Sequence, residues 1–144
     1  MPEKTKETPI QTAKQSLLPS TAALAFLGDA VHTLHVRTLL VSRGITKSGA
    51  LNDAARPLVS AEGQAAQARR VLPHLTEEEA DVYRRAFNSG HLNRPKHASG
   101  ADYRAATGLE AVLGMLTYYE QNARVCELLA IALSEQEKEN DSED

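Results

Sequence analysis

Residues 22–31 (AALAFLGDAV) are apolar on nearly every side of a helix and hold a single charge, Asp29. A helix that is hydrophobic all round is normally buried, so we expect this one in the middle of the fold. Ser20 or Thr21 can cap the start of this helix, and Gly44 is a good left-handed C-cap. The sequence therefore predicts a central helix that begins at about residue 21 and stops at Gly44.

The rest of the chain also carries helical signals, and no segment alternates convincingly as a strand. The 22 alanines and 18 leucines far outnumber the 11 valines and isoleucines, and unbranched side chains favour helices. The further predicted helices are Ser48 to Leu72 with an interruption or kink at Pro57, Thr76 to Phe87 behind a capping box, Ala101 to Tyr119, and Ala123 to Glu135. We predict an all-α helical bundle.

The length of 144 residues suits one domain. We expect a polar N-terminal extension over 1–16, the domain over 17–135 and an acidic tail over 136–144. The single cysteine, Cys126, excludes a disulfide framework and a cysteine-based zinc site. No apolar run approaches the length of a membrane span and no signal peptide is apparent, so we expect a cytoplasmic protein with no membrane partner, or a plastid-stromal one in a plant.

The net charge of −3 argues at first against a nucleic-acid partner. The acidity is concentrated in the last ten residues (EQEKENDSED), which hold six acids and one lysine. Without them the chain has 15 basic and 13 acidic residues, a balance of +2. The average charge therefore does not exclude binding to nucleic acid.

Two acids lie inside apolar helices, where an unpaired charge is costly. Asp29 directly follows Gly28, and Glu110 comes two residues after Gly108. Small residues let helix backbones approach closely, so a crossing at these points would bring the two carboxylates together. At a distance of ~4 Å and an effective dielectric of about 20 they repel by ~4 kcal/mol.

Something must offset that repulsion. A shared proton, an arginine or a hard divalent cation would each do so, and carboxylate oxygens are the ligands that such a cation prefers. The alternative is a structural role, in which each acid is satisfied by Arg37 or by a helix end. Sequence spacing alone leaves both open.

The segment from Arg84 to Arg104 is locally basic. Its one acid, Asp102, is outnumbered by five basic side chains, and His91 and His97 lie among them. Such a loop, directly before the helix that carries Glu110, would bring phosphates to the carboxylates. The alternative is an ordinary solvated loop.

Two motifs, one around each of the two acids, resemble those of a known family. Residues 24–31 (LAFLGDAV) resemble the signature helix of ribonuclease III catalytic domains, and residues 109–114 (LEAVLG) resemble the second acidic motif of that family. The order and spacing of further short motifs are similar to the short Mini-ribonuclease III branch, which lacks a double-stranded-RNA-binding domain. These motifs are residues 59–65 (VSAEGQA), Arg85 with Asn88, Pro95 with Lys96, Tyr103 with Arg104, and residues 107–110 (TGLE).

This resemblance implies an all-α homodimeric endoribonuclease that cuts double-stranded RNA with Mg²⁺ and leaves a 5′-phosphate, in the maturation of 23S ribosomal RNA. A ribosomal protein is a further possible partner. Asp29 and Glu110 would be the catalytic residues and the metal ligands. The RNA-binding residues would be Arg84, Arg85, Asn88, Arg94, Lys96, His97 and Arg104.

The chain departs from the family pattern in two ways. Ala22, Ala25 and Thr107 stand where full-length ribonuclease III has further carboxylates, as in the Mini branch, which leaves fewer protein ligands for metal. Ala86-Phe87 precedes Asn88 where the family usually has Gly-Arg, so one basic contact is missing and Phe87 is expected to pack instead. Two alternatives follow: a non-catalytic RNA-binding dimer with the same fold, and a helical protein-interaction module with incidental buried acids.

Overall fold

The computed structural model describes residues 18–89 and 100–142, with side chains described as far as residue 134. Within these ranges the chain forms α-helices and one short 3₁₀ turn, without a strand. The elements are α1 (Thr21–Ser42), α2 (Ser48–Val59), α3 (Ala61–Val71), the 3₁₀ turn (Leu72–His74), α4 (Glu77–Phe87), α5 (Gly100–Tyr118) and α6 (Asn122–Ser142). The predicted all-α class is confirmed.

The ends of α1 and the start of α4 follow the predicted capping residues. The Ser20 hydroxyl accepts a hydrogen bond from the backbone N–H of Ala23, and Gly44 has a φ of 87°, a left-handed conformation. At α4, the hydroxyl of Thr76 and the carboxylate of Glu79 accept hydrogen bonds from each other's backbone N–H, the reciprocal pattern of a capping box.

The predicted helix from Ser48 to Leu72 is divided in two. Pro57 lies inside α2, and the break comes three residues later at Ser60, whose backbone is extended and whose hydroxyl caps α3. The last helix also differs from the prediction, because α6 continues past Glu135 to Ser142.

The central helix is α5 rather than α1, which corrects the first expectation. All six residues from Ala111 to Leu116 are buried, and α1, α3 and α4 pack around α5. Helix α1 buries only one side against α5, through Leu24, Gly28, His32, Val36 and Leu40. Its other side is exposed, including Phe26 at 84%.

The length and hydropathy of α1 correct the expectation that no apolar run approaches the length of a membrane span. This helix is long enough to cross a membrane, and an 18-residue window within it reaches a mean hydropathy of 1.2. In the fold, however, one side of α1 packs along α5, and Asp29 and Arg37 lie on its exposed part. We therefore interpret α1 as a helix of the bundle.

Candidate active site

The site is built where α1 crosses α5 in direct backbone contact. A β-carbon at position 28 would lie 1.6 Å from the carbonyl oxygen of Glu110, and one at position 114 would lie 1.8 Å from the carbonyl oxygen of Leu24. Only glycine fits at Gly28 and Gly114 at this separation, since both distances are far inside van der Waals contact. This crossing brings the segment that carries Asp29 against the segment that carries Glu110.

Gly108 does not take part in the crossing, contrary to the sequence-based expectation. A β-carbon at position 108 would lie 2.6 Å from the ring of Tyr83 on α4. Gly108 therefore makes room for a tyrosine between α4 and α5, while Gly114 has the role that was assigned to it.

The two carboxyl groups meet, as predicted for crossing helices. Asp29 is exposed and Glu110 is half-buried. Burial of Glu110, a hydrogen bond with Asp29 and the negative charge of Asp29 together raise the pKa of Glu110 to about 8, from an ordinary 4.5. At neutral pH the pair therefore holds a proton, one of the ways of offsetting the repulsion that the sequence left open.

The arginine alternative is not what the structure shows. Arg37 is exposed, and the described groups that shift the pKa of Glu110 include no cation. The opposing effect on the pKa of Glu110 comes from the amide of Gln64 on α3, which favours the ionised carboxylate and lowers this pKa. The negative charge of the ionised pair is thus not neutralised within the described part of the chain.

A buried polar chain lies beside the carboxyl pair. Gln64 and Gln67, three residues apart on α3, are both buried. Nε2 of His32, one turn after Asp29, lies 2.6 Å from Oε1 of Gln67. Neither glutamine is among the predicted site residues; their signal in the sequence is a pair of amides at helical spacing.

The donor set fits a hard divalent cation. Two oxygen-donor side chains face each other without a compensating cation, and ionised carboxylates are the ligands that Mg²⁺ selects. In addition, Oε1 of Gln64 is buried and has no hydrogen-bond partner among the described residues. Those residues contain no cluster of three or more metal-ligating side chains, so water and substrate would complete the coordination.

The positions of the missing family carboxylates agree with this small donor set. Ala22 and Ala25 lie on α1 seven and four residues before Asp29. The Thr107 hydroxyl donates a hydrogen bond to the carbonyl of Tyr103, one turn earlier on α5. None of the three positions supplies an acidic oxygen.

The predicted RNA-binding residues divide into two groups. Arg84, Arg85 and Asn88 are exposed at the end of α4, and Arg104 is exposed in the first part of α5. Arg94, Lys96 and His97 lie outside the described residues.

The basic balance of this region is smaller than the sequence count gave. Asp81 pairs with both Arg84, at 2.5 Å, and Arg85, at 3.9 Å. Asp81 lies just before the segment that was counted. Both pairs are exposed and therefore weak, so phosphate would compete for these arginines.

Phe87 packs as expected. Its ring centroid lies 6.0 Å from that of Tyr83, and both side chains pack against the core, while Ala86 is buried within it. The Ala-Phe pair that replaces the usual Gly-Arg thus packs α4 against the core.

Comparison with known proteins agrees with this geometry. The family model of the ribonuclease III domain matches residues 22–121, more than half of the chain. The chain belongs to the ribonuclease III family. Among similar proteins, the Mini-ribonuclease 3 of Symbiobacterium thermophilum is 41% identical over 109 residues, which cover 76% of this chain and 84% of that protein. The Mini-ribonuclease 3 of Streptococcus pneumoniae is 38% identical over 110 residues, covering 75% and 86%.

A solved structure supports the fold. The crystal structure of a protein from Fusobacterium nucleatum is similar with a TM-score of 0.76 and 25% identity, over 84% of this chain and 93% of that one.

The family model and the similar Mini-ribonuclease 3 proteins confirm the resemblance to the Mini-ribonuclease III branch. The chain is an endoribonuclease of the ribonuclease III family. Both Asp29 and Glu110 fall inside the matched region.

Proposed function

We propose that this endoribonuclease is Mg²⁺-dependent, cuts double-stranded or structured RNA, and uses Asp29 and Glu110 as its catalytic carboxylates. The observation that carries the proposal is the contact between these two carboxyl groups, which no described cation neutralises. A metal ion at this place would stabilise the ionised pair. Within this substrate class we propose the precursor of 23S ribosomal RNA, as the branch implies.

Each carboxylate has a different surrounding. Asp29 is exposed, so a phosphate-bearing ligand can reach it from solvent without rearrangement of the bundle. Glu110 is half-buried and fixed by α5, and a cation would favour its ionised form against the raised pKa. When bound, a divalent cation supplies activation of water for an attack that leaves a 5′-phosphate, and stabilises charge on the phosphate.

The RNA would be held through its backbone by residues at the end of α4, by residues at the start of α5 and by residues of the intervening segment 90–99, which lies outside the described structure. The proposed contacts are Arg84, Arg85, Asn88, Arg94, Lys96, His97 and Arg104. A-form RNA offers phosphates and 2′-hydroxyls rather than accessible base edges, so we expect weak sequence preference. Neutralising Arg94 and Lys96 together should weaken binding and flatten its salt dependence, and an unchanged slope would contradict the role of this segment.

We also propose a homodimer through the exposed side of α1. This side presents Phe26, Leu34 and Val41, which are 84%, 63% and 60% exposed, and Ala30 lies between them. Their spacing places them along one stripe of the helix about 22 Å long, which the exposed Arg37 interrupts. An apolar stripe of this kind marks an association surface, and two copies of α1 related by a two-fold axis would cover each other.

The dimer is tested by the mass in solution. We expect light scattering to give about twice the 15.6 kDa of one chain, and Phe26→Glu to give a monomer with unchanged helical content. Leu72→Glu, a change at another exposed leucine, is the control that should remain dimeric. A Phe26→Glu protein that stays dimeric would place the interface elsewhere.

The activity is tested by removing each carboxylate. Asp29→Asn and Glu110→Gln should abolish cleavage of a structured RNA with Mg²⁺ while leaving the fold and RNA binding in place. Asp53→Asn, at an exposed aspartate paired with Arg56, is the matched control and should cut like the unchanged protein. Mg²⁺-dependent cutting by the double variant would refute the assignment. RNA binding by the unchanged protein without products, both with Mg²⁺ and with EDTA, would favour a non-catalytic dimer.

The place in the cell and the partners are likewise proposals. We place the protein in the cytoplasm, in line with its bacterial relatives, which give no support for a plastid. A ribosomal protein that reshapes the RNA is a proposed partner. Cleavage of ribosomal RNA precursor, measured with and without added ribosomal proteins, decides whether one is needed.

A further inference from the structure

The turn between α1 and α2 carries positive charge that no described acid neutralises. From residue 30 to residue 52 the sequence has three arginine or lysine side chains and no aspartate or glutamate. Two of these cations, Arg43 and Lys47, are exposed in the turn, and neither forms an ion pair with a described residue. In contrast, Nη2 of Arg56 on α2 lies 3.3 Å from Oδ1 of Asp53.

The backbone of this turn is fixed on both sides of the glycine. The backbone N–H of Arg43 closes the last turn of α1, and that of Gly44 donates to the carbonyl of Val41 at 3.0 Å. Ile45, which lies between the two cations in the chain, packs against the core. Because the backbone is already ordered, binding an anion here would order only the side chains of Arg43 and Lys47.

The alignment of α1 with α5 places this turn at a particular end of the bundle. The two close backbone contacts show that the helices run antiparallel, since moving back along α1 moves forward along α5. From the contact of Gly28 with Glu110, ten residues onward along α1 correspond to ten residues back along α5. Thr38 is therefore level with Gly100, the first residue of α5. The turn thus lies at the same end of the bundle as the exposed Arg104, one of the proposed contacts to RNA.

The side chains around the two cations suit a phosphate backbone. Thr46 and Ser48 flank Lys47, and both are exposed. Arginine, lysine and hydroxyl side chains supply most side-chain contacts to nucleic-acid phosphates. A protein that binds a duplex through its backbone gains affinity with each phosphate that a cation neutralises, so separated cations on one end of the bundle add to one another.

We propose that Arg43 and Lys47 form a second phosphate contact for the RNA duplex, away from the carboxyl pair. The inference rests on the proposed function, since the partner is the RNA that the carboxyl pair would cut. Along α1, Arg43 comes 14 residues after Asp29, which is about 21 Å at the rise of an α-helix. The phosphate bound at the turn is therefore several nucleotides from the scissile one, and the contact acts on affinity for RNA and not on the chemical step.

The test measures binding of a long double-stranded RNA in EDTA, so that cleavage does not interfere. Arg43→Gln and Lys47→Gln should each weaken binding about fivefold at low salt, and the double variant more than about tenfold. The slope of log affinity against log salt should become shallower by about one for each cation removed. Arg56→Gln removes the same charge from a cation that is paired with Asp53, and its affinity should stay within about twofold of the unchanged protein.

Three further measurements separate a charge contact from damage to the fold. Arg43→Lys keeps the charge and should bind RNA within about twofold of the unchanged protein. The double variant should keep the unchanged melting temperature, because both side chains are exposed. In cleavage with Mg²⁺ its KM for RNA should rise while kcat stays within about twofold. An unchanged salt slope in the double variant, or a fall in kcat without a rise in KM, would overturn the inference.

These outcomes are distinguishable from failure of the proposed function. Normal RNA affinity and salt slope in the double variant, beside an inactive Asp29→Asn, would refute only the contact at the turn. Cleavage that survives in Asp29→Asn would refute the catalytic assignment, whereas an unchanged protein that does not bind RNA at low salt would refute the proposed substrate and this inference with it.

Discussion

Replacing Glu110 by glutamine should make the metal-free protein more stable at neutral pH. The pKa of Glu110 is raised to about 8, so the folded protein at pH 7 holds a proton there that the unfolded chain, with an ordinary pKa of 4.5, has released. The folded state binds more protons over this interval, so stability is greatest below pH 4.5 and falls as the pH rises toward 8. Glutamine cannot ionise and lacks this penalty.

The magnitude follows from the two pKa values. Each pH unit between the unfolded pKa and the working pH costs about 1.4 kcal/mol, so the penalty at pH 7 is about 3 kcal/mol. Because realistic denatured states retain some structure, this is an upper limit for the gain in Glu110→Gln. At pH 4.5 the gain should disappear, since Glu110 is then largely protonated in the folded protein.

The assay is urea unfolding in EDTA at pH 4.5, 6 and 8, at one protein concentration so that dimer formation contributes equally. Only the difference between the unchanged protein and the variant is interpreted, which cancels other titrating groups. Asp29→Asn is the control and should show part of the gain, because it removes the neighbouring charge but leaves the burial of Glu110, the largest cause of the raised pKa. A difference that is constant between pH 4.5 and 8, or a variant less stable at pH 8, would refute the reasoning.

Three further predictions concern the frame around the site. Gly28→Ala should force α1 away from α5, destabilise the protein by about 3 kcal/mol or more in urea unfolding and reduce cleavage, because its methyl group has no space. Gly44→Ala should cost about 1 kcal/mol through its positive φ alone, whereas Gly49→Ala, in an open position within α2, should stabilise by about 0.5 kcal/mol; equal effects would contradict the conformational argument. Glu79→Gln should cost about 1–3 kcal/mol at pH 7, since the hydrogen bond from Arg124 holds the pKa of Glu79 below its usual value. That cost should shrink as the pH falls below 4.5, where the unchanged carboxylate loses its charge, and a pH-independent difference would count against the ion pair.

Helix class and helix ends were predictable because their causes are local. The serine cap at Ser20, the capping box at Thr76 and the left-handed Gly44 each act within one turn of the chain. The break at Ser60 was harder to predict from the sequence. Pro57 is accommodated inside α2, and the chain turns only where Ser60 can cap the next helix.

The meeting of Asp29 and Glu110 was predictable only in part. Gly28 was identified correctly because it adjoins Asp29, but Gly108 was not the matching small residue. Two residues along a helix turn the side chain to nearly the opposite side, whereas four residues return it to the same face. Gly114 lies four residues after Glu110 and meets α1, and Gly108 faces Tyr83 instead. The burial of Gln64 and Gln67 beside the carboxyl pair depends on how α3 packs against α1 and α5, which no spacing within one segment determines.

The wrong position predicted for α1 has a physical reason that bears on function. A helix that is apolar on both sides needs two covering surfaces, and a sequence does not say whether both belong to the same chain. In the bundle α5 covers one side of α1 and leaves Phe26, Leu34 and Val41 exposed. On the proposed dimer, a second α1 covers the other side, so the apolar pattern of this helix reflects two interfaces. Asp29 lies on the same helix, so a two-fold dimer through α1 would relate two such sites by symmetry, one for each strand of an RNA duplex.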